Sequence, residues 1–378
     1  MVASYCATFL KPEMLHIYRQ ITSLRRVRPV VIAQKRENAD RFPFQDITIV
    51  KKAPLHFLRR IWFKQIAGRP WKISAAEVHA IETALNERNS QLLHIYFGHI
   101  AALLRPLIRQ WQKPTIVSFH GADVLVDMQK PAYRKAMEEM LSLVRRVLVR
   151  SESLRQAVIN LNCAAEKIEI QRTGIPLDQF RFRERNAPDH AEWRLLQAGR
   201  LIEKKGFKTA LRAFAKFRRE FSAARLTIAG AGPQLNELET LARQLQIAAA
   251  VDFPGFVSQS RLRDLFYCSH IFLHPSETGR DGNQEGVPNS MLEAMATGLP
   301  IFATRHGGIP EAVEDNVSGI LVAERDHESL GDALIDCAKD SALLPAMGCA
   351  ASESVGRNFS QTEQTRRLEE IYLREIGR

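Results

Sequence analysis

Short apolar runs alternate along this chain with longer stretches in which apolar residues recur every three or four positions. The first kind reads as buried strands and the second as amphipathic helices. In the first half, strands are expected at Val30–Gln34, Leu92–Phe97, Thr115–Phe119, Arg146–Arg150 and Lys167–Arg172, with helices such as Gly98–Gln110 and Ala132–Leu143 between them. The polar, irregular stretch Arg181–Asp189 then reads as a linker. A second series follows, with strands at Arg194–Ala198, Arg225–Ala229, Val251–Phe253, His270–His274, Pro300–Ala303 and Ser318–Val322. Its helices are Gly206–Phe221, Pro233–Gln244 and Ser260–Cys268, and Ser360 caps a final amphipathic helix. Such alternation predicts an α/β protein of two Rossmann-like, doubly wound domains, 1–180 and 181–359, facing each other across a cleft. Ligands of such sheets bind at the carboxyl ends of the strands.

The most informative segment is Glu285-Gly286-Val287-Pro288-Asn289-Ser290-Met291-Leu292-Glu293. A loop enters a helix here. Asn289 or Ser290 can cap that helix, and Gly298 followed by Pro300 ends it. Free amides and partial positive charge at a helix N-terminus suit a phosphate. Glu285 lies in the approach and Glu293 about one turn inside. Their carboxylates cannot serve a phosphate, but they accept hydrogen bonds from hydroxyls. A phosphate cradle flanked by two hydroxyl acceptors describes a nucleotide-sugar pocket.

Other candidates sit at strand ends. Gly199-Arg200-Leu201-Ile202-Glu203-Lys204-Lys205-Gly206 places cations just before a helix, where they oppose its dipole unless an anion lies between. A solvated basic loop is the plainer alternative. Gly230-Ala231-Gly232-Pro233 either lets a ligand approach the backbone or simply makes a tight turn. His120 ends a strand ahead of Gly121, so it either points toward a ligand or is structural. Asp123 either caps the next helix or orients His120.

Composition narrows the class. At 378 residues with 45% apolar and 25% charged residues, the chain can form two ordinary soluble domains. Five scattered cysteines, without a CxxC pair, argue against a disulfide framework or a zinc site and fit a reducing compartment. Neither a signal peptide nor a spanning helix is evident, so a cytoplasmic protein is expected. The net charge of +11 is unevenly placed: residues 1–180 carry a balance of +13 and residues 181–378 one of −2. That asymmetry suggests an anionic partner for the first half. No recognised nucleic-acid motif accompanies it.

Within that half, the Lys51–Lys72 region carries Leu55, Leu58, Ile61, Trp62 and Ile66 at roughly helical spacing among Lys and Arg. One expectation is an amphipathic helix packed by its apolar face on the first domain. The other is a membrane-surface element, with Trp62 and Trp71 at the headgroup level.

Taken in order, these segments resemble the GT-B glycosyltransferases, in particular the large retaining family 4. The resemblance runs from about residue 115 to 322 and rests on several elements beside Glu285…Glu293. They are Phe119–Asp123, Gly174–Phe180, Gly199–Leu201 with Lys204–Gly206, Gly230–Pro233, His274–Ser276 and Gly307–Glu311. Asp281-Gly282-Asn283-Gln284 looks like exopolysaccharide-assembly members. The resemblance implies that Arg200 and Lys205, with the amides around Val287, Asn289 and Ser290, bind the donor diphosphate. Glu285 takes the sugar hydroxyls, Glu293 the ribose, with Gly230 and Gly232 near the nucleoside, and His120 stands beside the donor sugar. It further implies a C-terminal helix (360–378) crossing back to the first domain.

The expected activity is retaining, metal-independent transfer of a hexose from a nucleotide-diphosphate sugar to a glycan or lipid-linked hydroxyl. No cofactor is expected, and a peripheral contact with an anionic membrane is. The donor is left open among UDP-, GDP- and ADP-sugars, GDP-mannose included. Rival expectations are a sugar-nucleotide epimerase and a non-catalytic, membrane-docked binding subunit. One departure stands out: the first ten residues lack glycine, where the family often opens with a strand and a glycine-rich loop.

Overall fold

The alternating pattern folds as two units, Met1–Gly174 with Gln361–Arg378, and Ile175–Ser360. A computed structural model describes the chain except residues 54–55, 69, 125–127, 281, 283 and 378, and except the side chains of residues 13, 56, 64 and 122. The first unit holds strands β1 (Val2–Phe9), β2 (Pro29–Arg36), β3 (Ile47–Ile49), β4 (Leu92–Tyr96), β5 (Thr115–Ser118), β6 (Arg146–Val149) and β7 (Ile168–Ile170). They pair in parallel in the order β3-β2-β1-β4-β5-β6-β7. The second holds β8 (Arg194–Ala198), β9 (Arg225–Ala229), β10 (Val251–Gly255), β11 (Ile271–His274), β12 (Ile301–Thr304) and β13 (Gly319–Val322). Their order is β10-β9-β8-β11-β12-β13, again parallel.

Central strands of a parallel sheet are covered on both faces, which explains their mainly apolar composition. Every residue of β4, β5, β11 and β12 is buried. The strand order reverses between β1 and β4, and again between β8 and β11. Loops part at those points, beyond the carboxyl ends, and leave a crevice in each unit.

Several expectations need correction. The opening run Val2–Phe9 is an inner strand of its sheet, between β2 and β4, so the family's first strand is kept while its glycine loop is replaced by a 3-10 turn at Pro12–Met14. The expected helix Gly98–Gln110 breaks into Gly98–Leu103 and Arg105–Gln110, because Pro106 lacks the N–H that would continue the ladder. Helix Ala75–Glu87 carries a capping box of Ser74 and Glu77, a signal passed over in the sequence. The division falls at Gly174, not at residue 180: Ile175 and Phe180 lie in the core of the second unit with Met291, Leu292 and Phe359. The C-terminal helix Gln361–Ile376 belongs to the first unit, where Leu368, Ile371 and Tyr372 pack on Val2, Leu92, Ile116 and Leu148.

Candidate functional site

In the second unit, β8 ends at Ala198 and the chain turns through Gly199 into the 3-10 segment Glu203–Lys205. Gly206 then opens helix Phe207–Glu220 at φ +65°, and a Cβ there would meet the Pro275 carbonyl oxygen at 1.7 Å. Only glycine allows that approach. It seats the loop after β8 on the loop after β11 and brings Lys205 to Glu285.

Glu285 is the electrostatic centre of this crevice. Its Oε2 lies 2.7 Å from Lys205 Nζ and 3.7 Å from Lys204 Nζ. Burial raises its pKa, but Lys205, Lys204 and His274 outweigh burial and hold it down at about 2. Glu285 is therefore a fixed carboxylate. His274, buried at the end of β11, is driven to about 3 by burial and by Lys205, and stays neutral beneath the charges.

The loop that carries Glu285 is held by residues the sequence reading did not single out. The Glu285 main-chain N–H donates to His306 Nε2 at 2.9 Å, and His306 Nδ1 meets Glu324 Oε1 at 2.6 Å. Glu324 in turn accepts from the Thr278 N–H at 2.7 Å. Gly307 has φ +54°, and a Cβ on it would meet the Glu285 carbonyl at 2.0 Å. His306 stands immediately before the quoted Gly307–Gly308 pair, which is the one local signal that pointed to it.

The helix Asn289–Ala296 starts behind this loop. Its N-cap is Pro288, and neither Asn289 nor Ser290 caps it: the Ser290 hydroxyl donates to the Ala198 carbonyl at 2.8 Å and pins the helix to β8. First-turn amides of a helix have no carbonyl partner within it, so an anion-seeking end is still present. Val287, in the approach loop, is buried in the core of the second unit. Gly298, at φ +85°, follows the helix end at Thr297. Glu293 lies inside the helix, buried, and accepts from Gln259 Nε2 at 3.0 Å. Arg200 is exposed and makes no side-chain hydrogen bond among the described residues. A Cβ on Gly230 would meet the Gly199 carbonyl at 1.8 Å, and one on Gly232 the Leu201 carbonyl at 2.4 Å. Those glycines let the two loops pack closely. Asp281 and Asn283 lie outside the described residues.

In the first unit, His120 follows β5. Its Nε2 is 2.8 Å from Ser118 Oγ, and its ring lies 4.7 Å from Phe97 and 5.4 Å from His16. Burial, then Arg150, keep its pKa well below the ordinary value, so the imidazole is neutral. Asp123 accepts from the main-chain N–H groups of His120 (2.8 Å) and Gly98 (2.9 Å). It holds the loop backbone, while Ser118 orients the ring.

A pocket of about 320 Å³ lies nearby in the same unit, walled by Trp71, Ile100, Leu103, Met128 and Met137, with Arg60 also lining it. In the basic segment, Phe63 packs on the core while Leu58 and Trp62 are more than half exposed and Ile66 is 72% exposed. The segment therefore does not bury its apolar face. Trp71, expected at a lipid surface, is instead buried in the core. Pro54, Leu55 and Arg69 of this region lie outside the described residues. Among those described, no helix is long and apolar enough to cross a membrane.

Two family models cover the chain almost end to end: Glycosyltransferase Family 4 over residues 15–179 and Glycosyl transferases group 1 over 178–353. The amylovoran biosynthesis glycosyltransferase AmsK of Erwinia amylovora is 32% identical over 282 residues, 74% of this chain and 69% of that protein. A putative colanic acid biosynthesis glycosyltransferase, WcaL of Salmonella typhimurium, is 33% identical over 72% of this chain and 66% of its own length. The fold resembles that of Anabaena HepE solved with UDP, with a TM-score of 0.79 at 16% identity, over 98% of this chain and 99% of that one. Sucrose-phosphate synthase from Thermosynechococcus elongatus gives 0.78 at 17% identity, over 100% and 99%. With its two parallel-sheet Rossmann-like units, its Glu285–Glu293 element and these relatives, the chain belongs to the group 1, family 4 glycosyltransferases of GT-B type.

Proposed function

We propose that this chain transfers a hexose, with retention, from a nucleotide-diphosphate sugar to a hydroxyl of a polysaccharide precursor, as part of exopolysaccharide assembly. The observation that carries this reading is the convergence of Glu285, Lys205 and Lys204 at the approach to helix Asn289–Ala296. A donor sugar with hydroxyls and a diphosphate needs an acceptor group beside cations, and this crevice offers both. In this reading Lys205, Arg200 and the first-turn amides of that helix stabilise negative charge developing on the leaving diphosphate, without a metal ion. Glu285, ionised by its lysines, accepts hydrogen bonds from sugar hydroxyls, and Glu293 does so from the ribose. The relatives named for amylovoran and colanic acid support the polysaccharide context, and HepE, solved with UDP, supports a nucleotide-linked donor.

The acceptor is proposed to be lipid-linked and the protein to work at an anionic membrane surface. Exposed Leu58, Trp62 and Ile66 among basic residues support this, as does the apolar pocket beside them.

A thermal-shift screen across UDP-, GDP- and ADP-sugars tests the donor reading, since a ligand that binds the folded state raises its melting temperature. Transfer of radiolabelled sugar with and without EDTA, and the anomeric configuration of the product, test the rest. A screen in which no nucleotide sugar shifts the melt, or a product formed only with added metal, counts against it.

A further inference from the structure

A buried side chain that can make two hydrogen bonds and makes none costs folding free energy, and a ring without polar atoms would fill the same space at no such cost. His274 is such a side chain. It ends β11, fully buried, with its ring nearly parallel to that of Phe272 at 6.0 Å between centroids. Phe272 shares a core with Met291 and Leu292, so the imidazole lies on the sheet face that helix Asn289–Ala296 covers. Neither Nδ1 nor Nε2 has a hydrogen-bond partner among the described residues, and neither touches solvent. The backbone after the ring is held. The Ser276 N–H donates to the His274 carbonyl at 2.8 Å, and the Pro275 carbonyl is the one that only a glycine at 206 can approach.

The groups that act on its charge are Lys205, Glu285, His306 and Lys204, all of one crevice, and the influence between His274 and Glu285 is mutual. Glu285 and Lys205 meanwhile hold each other at 2.7 Å. In the donor reading these two have different work, the carboxylate on sugar hydroxyls and the ammonium on a diphosphate oxygen. An ammonium drawn to a diphosphate leaves behind a carboxylate only 13% exposed, with its nearest counter-charge gone. Such a carboxylate needs another donor inside the protein. A neutral imidazole keeps one ring N–H. It offers that donor without adding a further positive charge to a crevice that already holds two lysines.

We propose that His274 is a positioning residue for Glu285: its ring N–H, without a partner while Lys205 holds the carboxylate, takes over that carboxylate when a donor diphosphate draws Lys205 away. The exchange rests on the donor reading for its purpose, but a diphosphate alone sets it off. No covalent bond changes and no proton is transferred. The carboxylate passes from one hydrogen-bond donor to another and keeps its orientation toward the sugar.

Inorganic pyrophosphate is the probe, because it engages Lys205 without a base or a sugar, and calorimetry follows its binding to the full chain. His274→Phe keeps a ring and removes both nitrogens, whereas His274→Asn keeps an N–H donor. Without pyrophosphate, His274→Phe is expected to melt at or above the wild-type temperature, since no unpartnered polar group is left there. It is expected to bind pyrophosphate about five- to tenfold more weakly, with part of the loss recovered in His274→Asn. In a Glu285→Ala background no carboxylate remains to be handed over, and adding His274→Phe is expected to change binding by less than about twofold. The histidine ring signal absent from the His274 variants is expected to shift in the NMR spectrum of the wild type when pyrophosphate is added, and to stay in place in Glu285→Ala. Equal loss in the two backgrounds overturns the exchange, as does wild-type binding by His274→Phe. Pyrophosphate that fails to bind, or binds equally well to Lys205→Ala, overturns it too, because Lys205 is then not drawn away. Should His274→Phe fail to fold, the ring signal assigned through His274→Asn decides, and an equal shift in wild type and Glu285→Ala overturns the exchange. Coupling of His274 to Glu285 in a chain that binds no UDP-, GDP- or ADP-sugar defeats the donor reading and leaves the exchange standing. Nucleotide-sugar binding and transfer without that coupling defeats the exchange alone.

Discussion

The Lys205 ammonium stands 2.7 Å from Glu285 Oε2, and each of the two side chains is about seven-eighths buried. Charges so placed are held by each other before any substrate arrives. A sugar hydroxyl then meets a carboxylate already desolvated and oriented, which is where fixed electrostatics contribute most.

Glu285→Ala is expected to reduce transfer by about a hundredfold or more while the protein remains folded. Incorporation of radiolabelled sugar, beside a circular-dichroism melt, measures both. Near-normal transfer would falsify the role given to Glu285.

The folded-state pKa of Glu285 is depressed to about 2 from an ordinary 4.5. Its contribution is therefore present above pH 4.5 and is lost as pH falls from there toward 2. On the order of 3 kcal/mol is involved. Urea unfolding at pH 6 and pH 3.5 is expected to show a steeper acid loss for wild type than for Glu285→Gln. Identical loss in the two proteins contradicts the assignment.

Gly307→Ala introduces a Cβ 2.0 Å from the Glu285 carbonyl at a φ of +54°. The loop must shift. Destabilisation of about 1–3 kcal/mol is expected, together with weakened binding of whichever nucleotide sugar the melt screen identifies. A variant with wild-type melting and binding would show that the close approach has no consequence.

His306→Ala removes the acceptor for the Glu285 amide and the partner of Glu324. An orphaned buried amide costs about 1–3 kcal/mol, so transfer is expected to fall about tenfold or more through disorder of Glu285. His306→Gln, which keeps an acceptor, is expected to recover part of it. Equal loss in the two variants points away from positioning.

In the first unit, Tyr372 of the C-terminal helix meets His94 Nδ1 on β4 at 2.6 Å. Burial, with Arg150 nearby, lowers the His94 pKa from 6.5 to about 3, so the unfolded chain takes up its proton first. Stability from this residue is full above pH 6.5 and declines as pH falls from there toward 3. Tyr372→Phe is expected to lose about 1 kcal/mol in denaturant unfolding at pH 7. His94→Gln is expected to flatten the pH dependence between 7 and 5. A slope unchanged by that substitution refutes the linkage.

Much of this protein is legible in its residues taken in order. Parallel strands buried on both faces are mainly apolar, so β4, β11 and β12 declare themselves by composition. Glycines such as Gly206 mark the turns after the strands, where loops pack closely. The Glu285-to-Glu293 element points to the family because a loop-to-helix junction and its carboxylates lie in one short segment. Contacts between distant segments are another matter. Only the fold puts Lys205 on Glu285, because two loops eighty residues apart meet where β8 and β11 are neighbours. His306 and Glu324 acquire a role only once β12 and β13 have carried them under the Glu285 loop. Ser290, a plausible cap by sequence, is drawn instead to the Ala198 carbonyl by the strand packed beside it. The glycine-poor opening gave no hint that Val2–Phe9 is an inner strand of the sheet, since its partners begin at residues 29 and 92. Local chemistry is written in neighbouring residues, whereas the charge that a side chain must answer is set by whatever the fold brings beside it.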